Sequence, residues 1–399
     1  LYNDQAQRGL LLTHNLVDAQ KQVLAVHSAA VQFFADVDAY SGRASKSNGR
    51  LMRPVEIENP LSPALLELSR MIGQAAERAS DEADRMELKA AVTRCQVLAT
   101  SVNAWCRQLQ DGAVYWIERT GSRRQRLVLE SAPVEVGPIL REQLYDAGPT
   151  VVMTSATLAT GRQDFRFFRS RIGMTSGSDV RLGSPFDFQR QARLILSTGL
   201  VDPSAEPERF EQQCCERMKR HLLETAGRAF VLFTSYKMMR NVAERLTGWL
   251  AQHDLSLYCQ SRGLQRSAML DKFRVDPRAV LFGTDSFWQG VDVQGEALQN
   301  VIIPKLPFSV PDHPLLEARL ELIRSRGGNP FRDYQTPEAI IKLKQGFGRL
   351  IRHRDDTGRV VILDPRVLTK PYGRLFIDNL PQCRLEIDNG ESVEPLELD

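Results

Sequence analysis

Two patterns of apolar and polar positions divide the chain. From about Leu10 to Leu109, apolar residues recur at three- and four-residue steps. Leu65, Leu66, Leu68, Met71 and Ile72 form one such series, and Val92, Val97, Val102 and Trp105 another, which is the spacing of amphipathic helices. Pro54, Pro60 and Pro63 interrupt the stretch and predict two long helical arms joined by a loop. Taken alone, this segment reads as a plain helical bundle. Two short runs, Ala113-Val-Tyr-Trp-Ile117 and Arg126-Leu-Val-Leu129, flank a Gly-Ser-Arg-Arg turn and predict a β-hairpin. A helix near residues 139–145 then leads into Thr150-Val-Val-Met153, expected to be a short buried strand.

After Ser184-Pro-Phe186 the pattern changes to short apolar runs alternating with amphipathic segments. Strands are expected at 192–196, 229–233, 255–259, 279–282, 300–304 and 359–363. Helices are expected at 209–226, 236–253, 267–274 and 315–325, with another near 337–347. This order is that of an α/β fold, in which a parallel sheet is covered by helices on both faces. In such sheets ligands meet the loops at the carboxyl ends of the strands, where the chain's remaining motifs fall.

Composition narrows the picture only a little. With 399 residues, 42% hydrophobic and 25% charged, the chain can hold two or three ordinary globular domains. A formal charge of +3 gives no bulk electrostatic argument for a nucleic-acid partner. Arginines cluster at 123, 124 and 126 and again at 349, 352 and 354, although such clusters are most often solvated surface. None of the six cysteines forms a C-x-x-C pair or a zinc or iron–sulfur spacing, so reduced thiols in a cytoplasmic protein are expected. No apolar run approaches the roughly 20 residues of a membrane span, and no signal peptide opens the chain. Leu1 stands where a natural start would have Met, which points to a missing natural N-terminus.

Four strings carry candidate chemistry. Thr154-Ser-Ala-Thr-Leu158 sets small hydroxyls behind an expected strand, where they can hydrogen-bond a carboxylate or a phosphate-bound water; an ordinary strand-end turn is the simpler use. Phe233-Thr-Ser-Tyr236 opens a helix, where hydroxyls and free N–H groups suit a phosphate; N-capping by Thr234 or Ser235 is the simpler use. In Phe282-Gly-Thr-Asp-Ser-Phe-Trp-Gln-Gly-Val-Asp292, Gly283 and Gly290 permit tight turns, and Asp292 can accept from a ribose or an arginine. Phe287 or Trp288 could stack on a base or pack in the core. In Gln345-Gly-Phe-Gly-Arg-Leu-Ile-Arg352, helical spacing puts Gln345, Arg349 and Arg352 on one face, able to clamp a γ-phosphate; an amphipathic surface helix is the alternative.

In order and spacing these strings resemble helicase motifs III, IV, V and VI of the XPD/DinG family within superfamily two. Further similarity lies in Ser184-Pro-Phe186, Lys305-Leu-Pro-Phe-Ser-Val-Pro311 and Leu363-Asp-Pro-Arg366. The resemblance implies a RecA-like parallel sheet flanked by helices, preceded by a mainly helical arch. The domains it implies are an arch at 1–112, the end of a first RecA-like domain at 113–183 and a second RecA-like domain at 184–399. It implies ATP-driven 5′→3′ movement on single-stranded DNA, in repair or replication, by a monomer. Arg349, Arg352 and Gln345 would be catalytic, Gly290 and Asp292 would face the nucleotide, and Ser155 and Thr157 would couple that site to movement. Thr234, Ser235, Tyr236, Thr284 and Ser286 would face DNA.

The chain contains no G-x-x-x-x-G-K-[ST], so ATP and Mg²⁺ would be held mainly by a segment before Leu1, which would lie just beyond motif II. A 4Fe–4S cluster of the kind many family members hold would also lie upstream. Asp81-Glu-Ala-Asp84 reads like a motif II string but follows a polar helical stretch, so an ordinary acidic helix face is expected there. A non-catalytic nucleic-acid-binding module and the positioning part of a helicase-nuclease are the rival readings.

Overall fold

The computed structural model describes residues 1–399 apart from 4, 7, 45–47, 122–125, 147, 149, 162–163, 289, 291–292, 294, 397–399 and the side chains of 43 and 44. The chain forms two compact units. One comprises Leu1–Val136 with Pro311–Leu322, the other Gly137–Val310 with Ile323–Asp399.

The first unit is built on three long helices, Val17–Ala44, Leu61–Arg78 and Glu82–Arg107. The second expected arm is therefore two helices, because the chain breaks at Ala79, whose ψ of 125° is extended. Asp81 caps the third helix by accepting from the Asp84 N–H at 3.0 Å, so the Asp81–Asp84 string is a helix start, as its polar context implied. Strands β1 (Arg50–Leu51), β2 (Ala113–Thr120) and β3 (Arg126–Pro133) form an antiparallel sheet in the order β1-β2-β3. The β2–β3 hairpin is the expected one, and in this unit it packs with the helices: Tyr115 and Ile117 join Phe33, Val37, Leu65 and Trp105 in one core. Arg123 and Arg124 of the expected turn cluster lie outside the described residues. Arg50 is held between Glu317 (3.1 Å) and Glu321 (2.8 Å), tying β1 to the stretch Pro311–Leu322.

The second unit is a mixed α/β body around an eight-stranded sheet. Its strands are β4 (Ala192–Ser197), β5 (Ala229–Leu232), β6 (Ser256–Cys259), β7 (Ala279–Gly283), β8 (Asn300–Ile303), β9 (Gly358–Ile362), β10 (Arg384–Asp388) and β11 (Val393–Pro395). The order is β11-β10-β4-β9-β8-β5-β7-β6, and every pairing is parallel except β10–β11. Both faces are dry, as the near-continuous apolar runs require. Alternate residues point to opposite faces: Phe230, Leu232, Leu281, Val301 and Val360 meet the helices Arg266–Val275 and Thr336–Phe347. Val231, Val280, Phe282, Ile302 and Val361 meet Pro207–Glu224 and Tyr236–Gln252. Strands β10 and β11 were not anticipated. Arg384-Leu-Glu-Ile-Asp388 alternates charged and apolar residues near a sheet edge, a weaker signal than the buried runs.

Residues 150–153, expected as a buried strand, form none, and Val152 is 81% exposed. Extended backbone becomes a strand only when a neighbour completes its ladder, and none among the described residues does so.

Candidate functional site

Two loops, leaving the carboxyl ends of the adjacent strands β5 and β7 of the second unit, carry most of the candidate residues. After β5, Ser235 takes an extended conformation and accepts from the Met238 N–H at 3.4 Å, capping the helix Tyr236–Gln252. The simpler reading of this string thus holds for Ser235, while Tyr236 begins the helix half exposed. After β7 the chain enters a one-turn helix, Asp285–Trp288. Gly283 is required there, since a Cβ would come within 2.5 Å of the Phe287 ring. Thr284 is buried beneath the turn and Ser286 is exposed on it. Phe287 and Trp288 are fully buried, so they serve the core and are not presented to a base. Gly290 has φ +63, the left-handed region that favours glycine, and its carbonyl accepts from Arg266 at 2.6 Å. Asp292 lies outside the described residues.

The expected single helical face for Gln345, Arg349 and Arg352 is corrected by the structure. The helix ends at Phe347, with Gly348 as its cap at φ −66 and ψ 0. Gly346 and Gly348 lower helix propensity at this end. The following residues tighten into turns: the Arg349 N–H donates to the Gly346 carbonyl at 3.2 Å and the Leu350 N–H to that of Phe347 at 3.1 Å. Gln345 therefore lies on the last helical turn, while Arg349 and Arg352 lie on the loop beyond it. Arg349 Nε donates to the Trp288 carbonyl at 3.1 Å, which brings it to the loop after β7. The loop of Arg352 is pinned by Asp356, whose Oδ2 accepts the N–H groups of Arg352 and His353, each at 2.8 Å. Gln191 supports the same loop by donating to the carbonyls of His353, Arg354 and Asp356.

Several contributors were not picked out from the sequence. Lys342 pairs with Asp285 and lies 5.5 Å from the centre of the Trp288 ring. Gly346, one turn further along that helix, lets the indole lie against its backbone. Gln260 follows β6, and its Oε1 accepts from Thr284 N at 2.8 Å and Thr284 Oγ1 at 2.9 Å. Its Nε2 donates to Tyr236 OH at 2.6 Å and Ser286 Oγ at 3.1 Å. The one sequence signal for it is its place directly after a strand, in Cys259-Gln-Ser-Arg262.

Ser155 and Thr157 bond one another: the Thr157 N–H donates to Ser155 Oγ at 3.2 Å, and the two hydroxyls are 3.4 Å apart. Two residues later, the Ala159 carbonyl accepts from Lys344 Nζ at 2.9 Å, so this stretch is tied to the helix that carries Gln345. Burial, with Arg181 nearby, lowers the pKa of Lys344. Beside β8, burial and then the charge of Arg366 lower that of Lys305. Asp364 is fully buried, accepting a fork from Arg366 and the Leu306 N–H at 2.8 Å, so the 363–366 string locks two loops together. Among the described residues no group of three His, Cys, Asp or Glu side chains could hold a metal ion, and no helix is long and apolar enough to cross a membrane.

Comparison with known proteins places this geometry. Residues 218–383 match the family model described as helicase C-terminal domain. The chain is similar to the ATP-dependent DNA helicase YoaA of Escherichia coli, 39% identical over 311 residues, which are 78% of this chain and 47% of that protein. It is 37% identical over 279 residues to the ATP-dependent DNA helicase DinG of Photobacterium profundum, covering 68% of this chain and 40% of that one. To the 3′-5′ exonuclease DinG of Bacillus subtilis it is 34% identical over 290 residues, 69% of this chain and 31% of that one. The chain thus spans less than half the length of these curated relatives.

Among solved structures, an XPD helicase matches with a TM-score of 0.55 at 15% identity, over 92% of this chain and 64% of that one. The structure of S. tokodaii Xpd4 matches with a TM-score of 0.54 at 14% identity, over 87% and 63%. At these identities the likeness is one of fold. Residues 218–383 thus match a helicase C-terminal domain, and the chain that carries them is similar in sequence to the DinG and YoaA proteins and in fold to XPD.

Proposed function

We propose that this chain is part of an ATP-dependent DNA helicase that moves 5′→3′ on single-stranded DNA in repair or replication, working as a cytoplasmic monomer. The observation that carries the reading is the convergence of the loops after β5, β6 and β7 with Arg349, which touches the last of them through the Trp288 carbonyl. By role, residues 1–112 are the arch, 113–183 the end of a first RecA-like domain and 184–399 the second. These divisions follow function, whereas packing groups the β2–β3 hairpin with the helices. ATP and Mg²⁺ are bound mainly by a segment outside this sequence, which has no phosphate-binding loop. Arg349, Arg352 and Gln345 complete that site by stabilising charge on the transferred γ-phosphoryl, with Gly290 and Asp292 at its nucleotide side. Thr234, Ser235, Tyr236, Thr284 and Ser286 face the DNA backbone. Ser155 and Thr157 couple the two. Any 4Fe–4S cluster belongs to the same outside segment.

The test is DNA-stimulated ATP hydrolysis by the full-length parent beside an Arg349→Ala, Arg352→Ala double variant. The variant should lose at least about 10³-fold in stimulated turnover while folding normally, as expected when arginines stabilise the transferred phosphoryl. Unstimulated, inactive parent protein that still binds DNA would instead favour a non-catalytic binding module. A helicase-nuclease remains the second alternative because one relative is named a 3′-5′ exonuclease. Metal-dependent degradation of DNA by the parent would favour it.

A further inference from the structure

The side-chain amide of Gln260 has its orientation settled by its neighbours. The Thr284 backbone N–H, 2.8 Å away, can only donate, so the atom facing it is the carbonyl oxygen, which Thr284 Oγ1 also approaches at 2.9 Å. Nε2 is thereby turned the other way with two hydrogens to give. One goes to Tyr236 OH at 2.6 Å and the other to Ser286 Oγ at 3.1 Å. Both hydroxyl oxygens are acceptors in these bonds, so their own hydrogens are directed away from Gln260. Tyr236 is 51% exposed and Ser286 is exposed, whereas Thr284 is buried. The result is a half-buried amide with a fixed base and two exposed hydroxyls polarised to donate outward.

We propose that Gln260 is a positioning residue that sets Tyr236 and Ser286 as paired donors to a phosphodiester of the nucleic-acid backbone. A phosphodiester oxygen accepts and never donates, carries charge that strengthens each bond, and recurs at every nucleotide whatever the base. Tyr236 starts the helix after β5 and Ser286 lies on the turn after β7, and among the described residues only the Gln260 amide bonds both. This inference rests on the nucleic-acid reading given above and adds a residue, a bond polarity and a ligand atom to it.

Gln260→Glu tests the polarity with almost no change of shape. A carboxylate still accepts from Thr284, but it gives nothing to Tyr236 and Ser286, whose hydroxyls turn inward to donate to it. Affinity of the full chain for labelled oligothymidylate, read by fluorescence anisotropy, should fall about tenfold in Gln260→Glu and several-fold in Tyr236→Phe. The double variant should bind no more weakly than Gln260→Glu, because that change has already withdrawn the tyrosine hydroxyl. Oligodeoxyadenylate should show the same losses.

Wild-type affinity in Gln260→Glu would overturn the proposal, as would losses that simply add, since a repelling charge or a merely structural glutamine would produce additivity. Tyr236→Phe removes only an exposed hydroxyl, so it keeps the test valid if the glutamate variant folds poorly: wild-type affinity there also overturns the proposal. Failure of the unaltered chain to bind either oligonucleotide would overturn the nucleic-acid reading itself, and the role of Gln260 with it.

Discussion

Trp288 is held on three sides. Its indole Nε1 donates to the Phe233 carbonyl at 3.1 Å, its own carbonyl accepts from Arg349 at 3.1 Å, and its ring lies against Gly346. A Cβ at position 346 would stand 2.9 Å from Cζ3, 3.0 Å from Cε3 and 3.3 Å from a Leu232 methyl. Replacing an interior helical glycine by alanine ordinarily stabilises by up to about 1 kcal/mol. Here the indole is anchored and cannot retreat, so Gly346→Ala should destabilise by about 1–3 kcal/mol, as overpacked cores do. Urea denaturation of the two proteins decides between these opposite signs. Cysteine is equally settled at this scale: all six thiols are free and buried, and burial pushes Cys106 up to about 11 and Cys383 up to about 12.

At the scale of an element, the loop beyond the helix Thr336–Phe347 matters most, because it carries both arginines. Three residues of spacing could not reveal that the helix stops short of them. Asp356 replaces helical hydrogen bonds at this point, with one carboxylate oxygen taking two consecutive N–H groups. Removing a charged acceptor from two part-buried donors costs roughly 1–2 kcal/mol. Asp356→Ala should therefore lower stability by about that amount and reduce DNA-stimulated ATP turnover of the parent as Arg352 loses its fixed base. Asp356→Asn keeps one acceptor and should fall between alanine and wild type in both measurements. Equal turnover in all three proteins would show that this loop's geometry is irrelevant to the reaction.

At the scale of the whole second unit, the sheet edge is joined to a covering helix through a buried ionic centre. Asp388, at the end of β10, is fully buried and accepts from Arg217 at 2.7 Å and the Gly390 N–H at 2.9 Å, with His221 Nε2 at 3.1 Å. Burial alone would raise its pKa. The hydrogen bonds from His221 and Gly390 and the charge of Arg217 outweigh that and hold the carboxyl well below the usual carboxylate range. The stabilisation is thus fully present above the unfolded value of about 4 and is lost as pH falls through the lower folded value. Urea midpoints should drop steeply below about pH 4, and Asp388→Asn should flatten that part of the profile. The same variant should lose about 3–5 kcal/mol at neutral pH, because Arg217 is left without its buried counter-charge. An unchanged acid limb would show that other carboxylates govern it.

Much of this protein could be read from its chain, because the signals were local. Runs such as Ala229-Phe-Val-Leu232 and Asn300-Val-Ile-Ile303 are apolar on both faces, so they had to be buried strands of a parallel sheet. The strings that begin at Phe233 and Phe282 could be placed for the same reason, since each starts where a strand ends. What the tertiary structure alone decided lay in partners far apart in the chain. Residues 150–153 have the composition of a strand but, among the described residues, no neighbour to complete a ladder. Helical spacing places Arg349 and Arg352 on one face with Gln345, yet two glycines and the distant Asp356–Gln191 anchor end the helix first. Gln260 has no pattern of its own, because its meaning comes from Tyr236, 24 residues before it, and Ser286, 26 after. Periodicity records which face of an element is apolar; which polar atoms meet across loops is decided only when the strands take their order in the sheet.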